Sequence, residues 1–301
     1  IMKKVMAINK KRADFIKDLE QLIKNKRNFT FKASTYSREI LTDNGLKIFY
    51  ADDKINMSVF NTAKKLKEEL KFCLESFEVN KQSLFYFLSN QKYDFKENKT
   101  VYFDIKSAYL SVLYNSGLIS DEIFNKISEL PKKERLVCLG LLAYEPQFFE
   151  YENGKLKPSE NRRIKNPYSN VFFWCVKEVS RIMTLCVEKL ENDFGFFWVD
   201  GIFFKDTKEN RDAIEEIFRI ENVKFTIEET DITEITERET GISMKISYKD
   251  KTKNFFLPDN RKSKEEFRAK IAEIYRKQGE IEAKKELERI FILDKKGNLV
   301  F

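Results

Sequence analysis

The chain has 301 residues, of which 42% are hydrophobic and 35% charged, a composition that supports a buried core and excludes disorder over most of the length. Its formal charge of +7 is compatible with a polyanionic partner. Histidine is absent, which excludes catalytic triads, general bases and metal sites built on imidazole. The four cysteines form no C-x-x-C pair, and no apolar run is long enough to span a membrane. We therefore expect a cytoplasmic protein with no membrane partner and with reduced, buried cysteines.

Residues 1–33 are rich in basic side chains and contain the first predicted helix, from about Lys10 to Lys26. Phe15, Leu19 and Ile23 recur at helical spacing and define its apolar face. The basic residues either form a solvated helix face or contact nucleic-acid phosphates. For the second alternative, the nucleic-acid-binding candidates are Lys10, Lys11, Arg12, Arg162 and Arg163.

Turn signals and apolar periodicity predict the remaining elements. A hairpin is expected at 39–50, turning at Asp43-Asn44-Gly45, and a helix at about 59–77. The elements predicted after these are a buried strand at 100–104, a charged helical segment, a hairpin at about 151–157, a helix from Pro167 to about Leu190, a strand–turn–strand at 194–205, a helix at 207–219, strands near 223–230 and 242–248, a charged helix at 261–289 and a hairpin at 291–301. This order favours an α+β fold in which helices cover one face of a small antiparallel sheet.

The first of three blocks with candidate catalytic residues is Asp104-Ile105-Lys106-Ser107-Ala108-Tyr109. A carboxylate at the C-terminal end of a buried strand can bind a divalent cation at the sheet edge. The helix start that follows offers backbone N–H groups to a phosphate. Taken alone, the aspartate could equally cap that helix.

The second block runs from Lys132 to Ala143, after Pro131. Lys132 and Arg135 are three residues apart, so they share one face of the predicted helix, where two cations could bind a triphosphate. Taken alone, the block could also be the basic surface of an amphipathic helix.

The third block runs from Phe196 to Phe204 and consists of two apolar strands that meet at Asp200-Gly201. A tight hairpin at this pair would present one carboxylate. Taken alone, an Asp-Gly pair indicates only a turn.

In this order the three blocks, within about residues 100–205, resemble the palm motifs of family B DNA polymerases, especially the protein-primed phage type. The first block is similar to motif A, D-x-x-S-L-Y-P, with Asp104, Ser107 and Tyr109 matching and Leu110 in place of the proline. The second is similar to motif B, K-x-x-x-N-S-x-Y-G-K-x-A. Its matching residues are Lys132, Gly140 and Ala143, while Leu136 and Leu139 replace the Asn and the Tyr.

The third block is similar to motif C, Y-x-D-T-D-S-I, with Asp200 at the second aspartate and Ile202 at the isoleucine. Trp198 stands where the family has its first aspartate, so one carboxylate of the motif is missing. In that family the second aspartate bridges the metals together with the aspartate of motif A. The resemblance therefore implies that the pair Asp104 and Asp200 is retained.

The resemblance implies a metal-dependent nucleotidyltransferase, a minimal DNA polymerase that adds deoxynucleotides to a 3′-hydroxyl by a two-metal mechanism. Two Mg²⁺ or Mn²⁺ ions would be held by Asp104, Asp200 and the Ile105 carbonyl. The nucleotide-binding residues that it implies are Ser107, Tyr109, Lys132, Arg135 and Gly140, with Tyr109 excluding a 2′-hydroxyl. The implied partners are a DNA or RNA primer and template, deoxynucleoside triphosphates and a protein of a replication or defence complex, in a virus or mobile element.

The expected fold is an α+β polymerase-type palm, a small antiparallel sheet backed by helices, with reduced helical fingers and helical N- and C-terminal extensions. It would comprise a basic region at 1–99, a palm at 100–258 with fingers at about 118–145, and a charged helix and hairpin at 259–301. Two alternatives remain. Trp198 favours a catalytically inactive palm that binds nucleic acid or serves in assembly. The reduced fingers favour a template-independent or protein-priming nucleotidyltransferase.

Overall fold

The structure is a computed structural model that describes residues 6–33, 38–50, 57–77, 79, 87–90, 92–157, 165–238, 241–248 and 251–258, with positions 273, 277, 278, 281 and 282. These residues have an α+β fold, as predicted, with two sheets that are mainly antiparallel. The strands are β1 (Met6–Lys10), β2 (Phe29–Ala33), β3 (Arg38–Thr42), β4 (Leu46–Tyr50), β5 (Phe87–Ser89), β6 (Thr100–Ile105), β7 (Gln147–Glu152), β8 (Lys155–Leu156), β9 (Phe194–Trp198), β10 (Gly201–Lys205), β11 (Phe225–Arg238), β12 (Gly241–Tyr248) and β13 (Lys251–Pro258). The helices are α1 (Phe15–Lys24), α2 (Met57–Leu70), α3 (Ala108–Asn115), α4 (Asp121–Ser128), α5 (Lys132–Gly140), α6 (Ser169–Leu190) and α7 (Lys208–Ile220).

None of the helices among the described residues is long and apolar enough to cross a membrane. The four cysteines are free and buried, which confirms their predicted place in the core.

The chain forms two compact units. The first comprises the described residues within Ile1–Met57, Tyr144–Ser169 and Glu266–Phe291, and the second those within Ser58–Ala143 and Asn170–Glu265. These units differ from the expected segments 1–99, 100–258 and 259–301. Two strand pairings account for part of the difference: β7, from the middle of the chain, pairs with the N-terminal strand β2, and β5 pairs with β9 of the second unit.

The first unit is a six-stranded sheet in the order β1-β4-β3-β2-β7-β8. Strand β1 is parallel to β4, and the other pairings are antiparallel. The side chains of β2 alternate between buried and half-buried, and α1 covers the buried face with Phe15 and Leu19. The predicted hairpin at 39–50 is confirmed, and Gly45 at its turn has a φ of +83°.

The second unit is a seven-stranded antiparallel sheet in the order β13-β12-β11-β6-β10-β9-β5. On one face, Phe103 of β6 packs on Phe218 of α7, with 6.4 Å between ring centroids. The opposite face carries a core in which Phe196 of β9 and Phe203 of β10 cluster with Met244 of β12. Since three strands separate β12 from β9 in the sheet order, the β12 end of the sheet must curl over this face.

A bulge in β11 allows the sheet to curl in this way. The register between β11 and β12 shifts between Thr233 and Thr236, and Glu234 within the shift has a φ of +53°. An extra residue in one strand bends that strand and increases its twist. The two strands beyond the bulge, β12 and β13, are called the β12–β13 hairpin below.

Some elements differ in extent from their prediction. The first helix begins at Phe15 rather than Lys10, because Lys10 ends strand β1 and pairs with β4. Strand β13 was not predicted, because only the second half of its sheet-facing row is apolar, at Phe255 and Leu257. The predicted C-terminal helix and hairpin lie outside the described residues, apart from five helical positions, of which Ile281 packs on the core of the first unit.

Candidate active site

Asp104 lies on β6, and Asp200 lies in the turn before β10, the strand that pairs with β6 in the second unit. Asp104 pairs with Gly201, the first residue of β10. The Ile105 N–H donates a hydrogen bond of 2.9 Å to the carbonyl oxygen of Asp200. Both aspartates are half-buried. The antiparallel pairing of β6 with β10 thus brings together two aspartates that are far apart in the sequence.

A row of side chains crosses the sheet at the level of the aspartates. Trp198 of β9, Gly201 of β10, Asp104 of β6 and Thr226 of β11 are in register on successive strands. Because paired residues of antiparallel strands share a face, all four lie on the face that the β12–β13 hairpin covers in part. Trp198 is therefore separated from Asp104 only by a glycine.

Tyr102 holds the carboxyl group of Asp104, a role that the sequence analysis did not assign. Its hydroxyl donates a hydrogen bond of 2.8 Å to Oδ1 of Asp104. Its ring stacks on Phe203 at 4.4 Å and contacts Tyr248 at 5.2 Å, measured between centroids. A signal for this residue was present, because positions i and i+2 of a strand share a face, and Tyr102 precedes Asp104 by two.

Asp200 lies where its charged form is disfavoured. Burial, followed by the negative charge of Asp104, raises the pKa of Asp200 from 3.8 to about 7. A backbone hydrogen bond and the charges of Lys132 and Lys253 act in the opposite direction. Burial and the Asp104 charge also raise the pKa of Tyr102, so its hydroxyl stays protonated as a donor. Two carboxyl groups that repel each other in this way are suited to a divalent cation.

The turn that presents Asp200 consists of Val199 and Asp200, so the predicted tip at Asp200-Gly201 is wrong by one residue. Gly201 pairs with Trp198 and already belongs to β10. Gly201 is required for a different reason, since a Cβ at this position would overlap the ring of Tyr102. Val199 has a φ of +59°, which is unusual for a β-branched residue and is more often adopted by glycine in two-residue hairpin loops.

Replacing Val199 by glycine should stabilise the fold by about 0.5–1 kcal/mol. Relief of the left-handed strain, about 1–2 kcal/mol, exceeds the entropy that glycine loses on folding. Urea unfolding would measure this change. The matched control is Val199→Ala, which shortens the side chain but keeps the strain. A glycine variant no more stable than the alanine variant would contradict the strain argument.

The predicted residues Ser107 and Tyr109 lie just beyond β6, where α3 begins. Ser107 has a φ of +51° and makes no side-chain capping bond to the helix. The ring of Tyr109 contacts Phe172 of α6 edge-to-face at 5.2 Å. Ser107, three residues after Asp104, and Val199, directly before Asp200, thus both have a left-handed backbone. Such strain at non-glycine residues clusters at functional sites.

Among the predicted cations, Lys132 influences Asp200 electrostatically. It is exposed at the first position of α5, and its charge lowers the pKa of Asp200. Arg135 instead donates a 3.0 Å hydrogen bond from Nη1 to the carbonyl oxygen of Ser128, which ties α5 to the end of α4. Gly140 is the last residue of α5.

Three of the predicted nucleic-acid-binding residues, Lys10, Lys11 and Arg12, belong to the first unit. Lys10 forms an ion pair with Asp18 at 2.6 Å, and Asp18 also accepts a 2.7 Å hydrogen bond from the Tyr50 hydroxyl. Lys11 is exposed and Arg12 half-buried, directly after β1. Arg162 and Arg163 lie outside the described residues. The charge of Lys10 is therefore already balanced by a protein carboxylate.

The described part of the chain has no group of three or more Cys, Asp or Glu side chains placed to hold one metal ion. The sequence matches no protein-family model, and no curated protein matches it significantly.

Proposed function

We propose that the second unit is a polymerase-type palm and that the protein is a nucleotidyltransferase that adds deoxynucleotides to a 3′-hydroxyl. The observation that carries this proposal is the pairing of the Asp104 strand with the Asp200 hairpin, with Lys132 close enough to influence Asp200 electrostatically. Two carboxylates and a nearby cation are the groups that phosphoryl transfer from a triphosphate requires.

The donor set fits divalent cations. Carboxylate and carbonyl oxygens are the ligands that Mg²⁺ and Mn²⁺ prefer, and Asp104, Asp200 and the Ile105 carbonyl would hold them. Burial and, after it, repulsion from Asp104 raise the pKa of Asp200, and a positive ion between the two carboxyl groups would relieve that repulsion. When bound, such ions lower the pKa of the attacking hydroxyl and neutralise the triphosphate and the leaving pyrophosphate.

The remaining roles fall to residues around this pair. Lys132 would bind the triphosphate and, because the chain has no histidine, either Lys132 or water would protonate the pyrophosphate. The backbone N–H groups that follow Ser107 belong to the first turn of α3. Such groups at a helix N-terminus can donate hydrogen bonds to phosphate oxygens. Tyr109 would lie under the sugar and exclude a 2′-hydroxyl.

One observation favours the alternative of an inactive palm that binds nucleic acid or serves in assembly. Trp198 replaces a carboxylate in the row of Asp104, and its indole packs against Phe255 at 6.4 Å between centroids. This position contributes to packing and provides no metal ligand. Retention of Asp104 on β6, and of Asp200 in the turn before its partner strand β10, supports activity.

The deciding experiment is incubation of the full chain with labelled deoxynucleoside triphosphates, Mg²⁺ or Mn²⁺, and primed or unprimed DNA and RNA. The proposal requires incorporation that depends on the metal and on a free 3′-hydroxyl. Binding of nucleic acid with no incorporation under any of these conditions would replace it with the inactive palm.

Lys132→Met should raise the apparent KM for the nucleotide about tenfold or more and change kcat less, because a charged hydrogen bond to the triphosphate is lost. Lys133→Met is the matched control, since it removes the same charge from the same helical turn. Steady-state kinetics of both variants, alongside their Tm, test the assignment. Equal KM values for the two variants would contradict it.

A further inference from the structure

The β12–β13 hairpin packs on the same sheet face that carries Asp104. Met244 and Ile246 of β12 and Leu257 of β13 are buried in one cluster with Phe196 and Phe203. Paired residues of neighbouring strands share a face, so the row of β13 that contains Leu257 faces strands β9 and β10. This row consists of every second residue of the strand, and one of its members is Lys253.

Lys253 occupies the polar end of that inward row. It pairs with Ile246, whose side chain is buried against the sheet. Phe255 and Leu257, two and four residues further along β13, lie on the same face as Lys253. Yet Lys253 itself is exposed, because it lies where the covered part of the face ends. Its Nζ atom lies 5.1 Å from the centroid of the Tyr248 ring, a cation–π distance that fixes the direction of the side chain.

A short series of contacts connects this lysine with the aspartates. The Tyr248 ring under Lys253 is 5.2 Å from the Tyr102 ring, and the Tyr102 hydroxyl donates to Asp104. The charge of Lys253 also lowers the pKa of Asp200. Lys132 acts on Asp200 in the same direction from α5, a different element of the second unit.

Trp198 gives a reason for the presence of a second lysine here. Its indole and the Phe196 and Phe203 rings all contact Phe255, which is two residues from Lys253 on the same face of β13. The resembled motif has a carboxylate at the position of Trp198. In this chain the indole of Trp198 instead packs against β13, the strand that carries Lys253. The site loses one negative charge and gains one positive charge.

We propose that Lys253 binds the polyphosphate of the nucleoside triphosphate, together with Lys132. This inference rests on the proposed function and deepens it by assigning the β12–β13 hairpin to substrate binding. Two exposed lysines beside two carboxylates form a site suited to a polyphosphate that arrives with a divalent cation, since each lysine offsets phosphate charge that the metal leaves unbalanced. The reacting phosphate must lie beside Asp104 and Asp200, which places the triphosphate rather than a distant strand phosphate within reach.

The test is equilibrium binding of dTTP and dATP with Mg²⁺ to the full chain, measured by calorimetry. Lys253→Met should weaken the affinity about tenfold, as expected for one charged contact, and Lys253→Arg should keep it within about threefold. The matched control is Lys245→Met on β12. Lys245 lies on the outer face of the same hairpin, paired with Glu234 at 2.8 Å, and its loss should leave nucleotide affinity unchanged. Lys253→Gln and the Tm of each variant show whether the hairpin stays folded.

The outcomes separate this inference from the proposed function. Wild-type protein that binds nucleotide, with Lys253→Met binding equally well and Lys132→Met binding poorly, overturns the role of Lys253 and leaves the function standing. A wild-type chain that binds no nucleotide overturns both. A parallel titration with single-stranded DNA completes the design. If Lys253→Met weakens DNA binding but not nucleotide binding, the lysine contacts a strand phosphate and the inference is wrong.

Discussion

Asp200→Asn is expected to reduce nucleotide incorporation by orders of magnitude while making the folded protein more stable at neutral and alkaline pH. The loss of activity follows because an amide keeps the shape of the side chain but not the negative charge that a metal pair requires. The gain in stability follows because the repulsion from Asp104 and the burial of a charged carboxyl group both disappear.

The stability difference should depend on pH in a defined window. Since the pKa of Asp200 is raised in the folded state, from 3.8 to about 7, the folded protein binds the proton more tightly than the unfolded chain. Wild-type stability from this group is therefore fully present below about pH 4, falls as the pH rises and is lost above about pH 7. Thermal unfolding should be measured from pH 4 to 9. The Tm of the asparagine variant should rise relative to that of wild type between about pH 4 and pH 7, and the difference should stay constant above about pH 7.

Asp206→Asn is the matched control, because its environment has the opposite effect. A hydrogen bond from Arg211 lowers the pKa of Asp206, and Lys99 lies 2.9 Å from the same carboxyl group. This carboxylate stabilises the fold above its ordinary pKa, so its replacement should lower the Tm at neutral pH. If both asparagine variants shift the Tm in the same direction, the charge assignment at Asp200 is wrong. Added Mg²⁺ should raise the Tm of wild type and of Asp206→Asn but not of Asp200→Asn.

Gly201→Ala should destabilise the second unit by about 1–3 kcal/mol, the usual cost of forcing extra atoms into a packed site. The added Cβ would overlap the Tyr102 ring, which cannot move freely because it stacks on Phe203, contacts Tyr248 and donates to Asp104. Incorporation should fall as well, since displacement of Tyr102 removes its hydrogen bond to the Asp104 carboxyl group. Chemical unfolding and the incorporation assay measure the two effects.

A double-mutant cycle tests the physical reason for this effect. In a Tyr102→Ala background the space beside residue 201 is open, so Gly201→Ala should cost little there. The single variant Tyr102→Ala provides the reference for the stability that the ring itself contributes. An alanine at 201 that is equally destabilising in both backgrounds would show that the cost is unrelated to Tyr102.

Elements defined by local sequence were predicted well. The hairpin at 39–50 follows from Asp43-Asn44-Gly45 between apolar runs. Helices α6 and α7 follow from apolar residues at helical spacing, which for α6 come after Pro167, a residue favoured in the first turn of a helix. Strand β6 follows from its uninterrupted apolar run, and the α+β class follows from the order of these elements. In each case neighbouring residues in the sequence contain the whole signal.

The candidate site was predicted only in part. Asp104, Asp200 and Lys132 came from a motif order; the structure pairs the Asp104 strand with the hairpin of Asp200, and the charge of Lys132 lowers the pKa of Asp200. Tyr102 and Lys253 were missed. The first could have been found from its spacing to Asp104 on one strand face. Lys253 could not have been found, because strand β13 was itself not predicted. Its link to Asp104 through Tyr248 and Tyr102 also depends on how the β12–β13 hairpin packs on distant strands.

By itself, then, the sequence determined helices such as α6 and α7, the hairpins at 39–50 and 151–157, and the candidate carboxylates Asp104 and Asp200, because short-range spacing and turn residues specify these features. The tertiary structure alone decided that β7 joins the N-terminal sheet, that Val199 rather than Gly201 forms the turn, and that the β12–β13 hairpin beyond the bulge at Glu234 packs on the sheet face that carries Asp104. These features depend on strand register and side-chain packing between segments distant in sequence. No local pattern encodes such contacts, because their free energy arises only when the partner strand is in place.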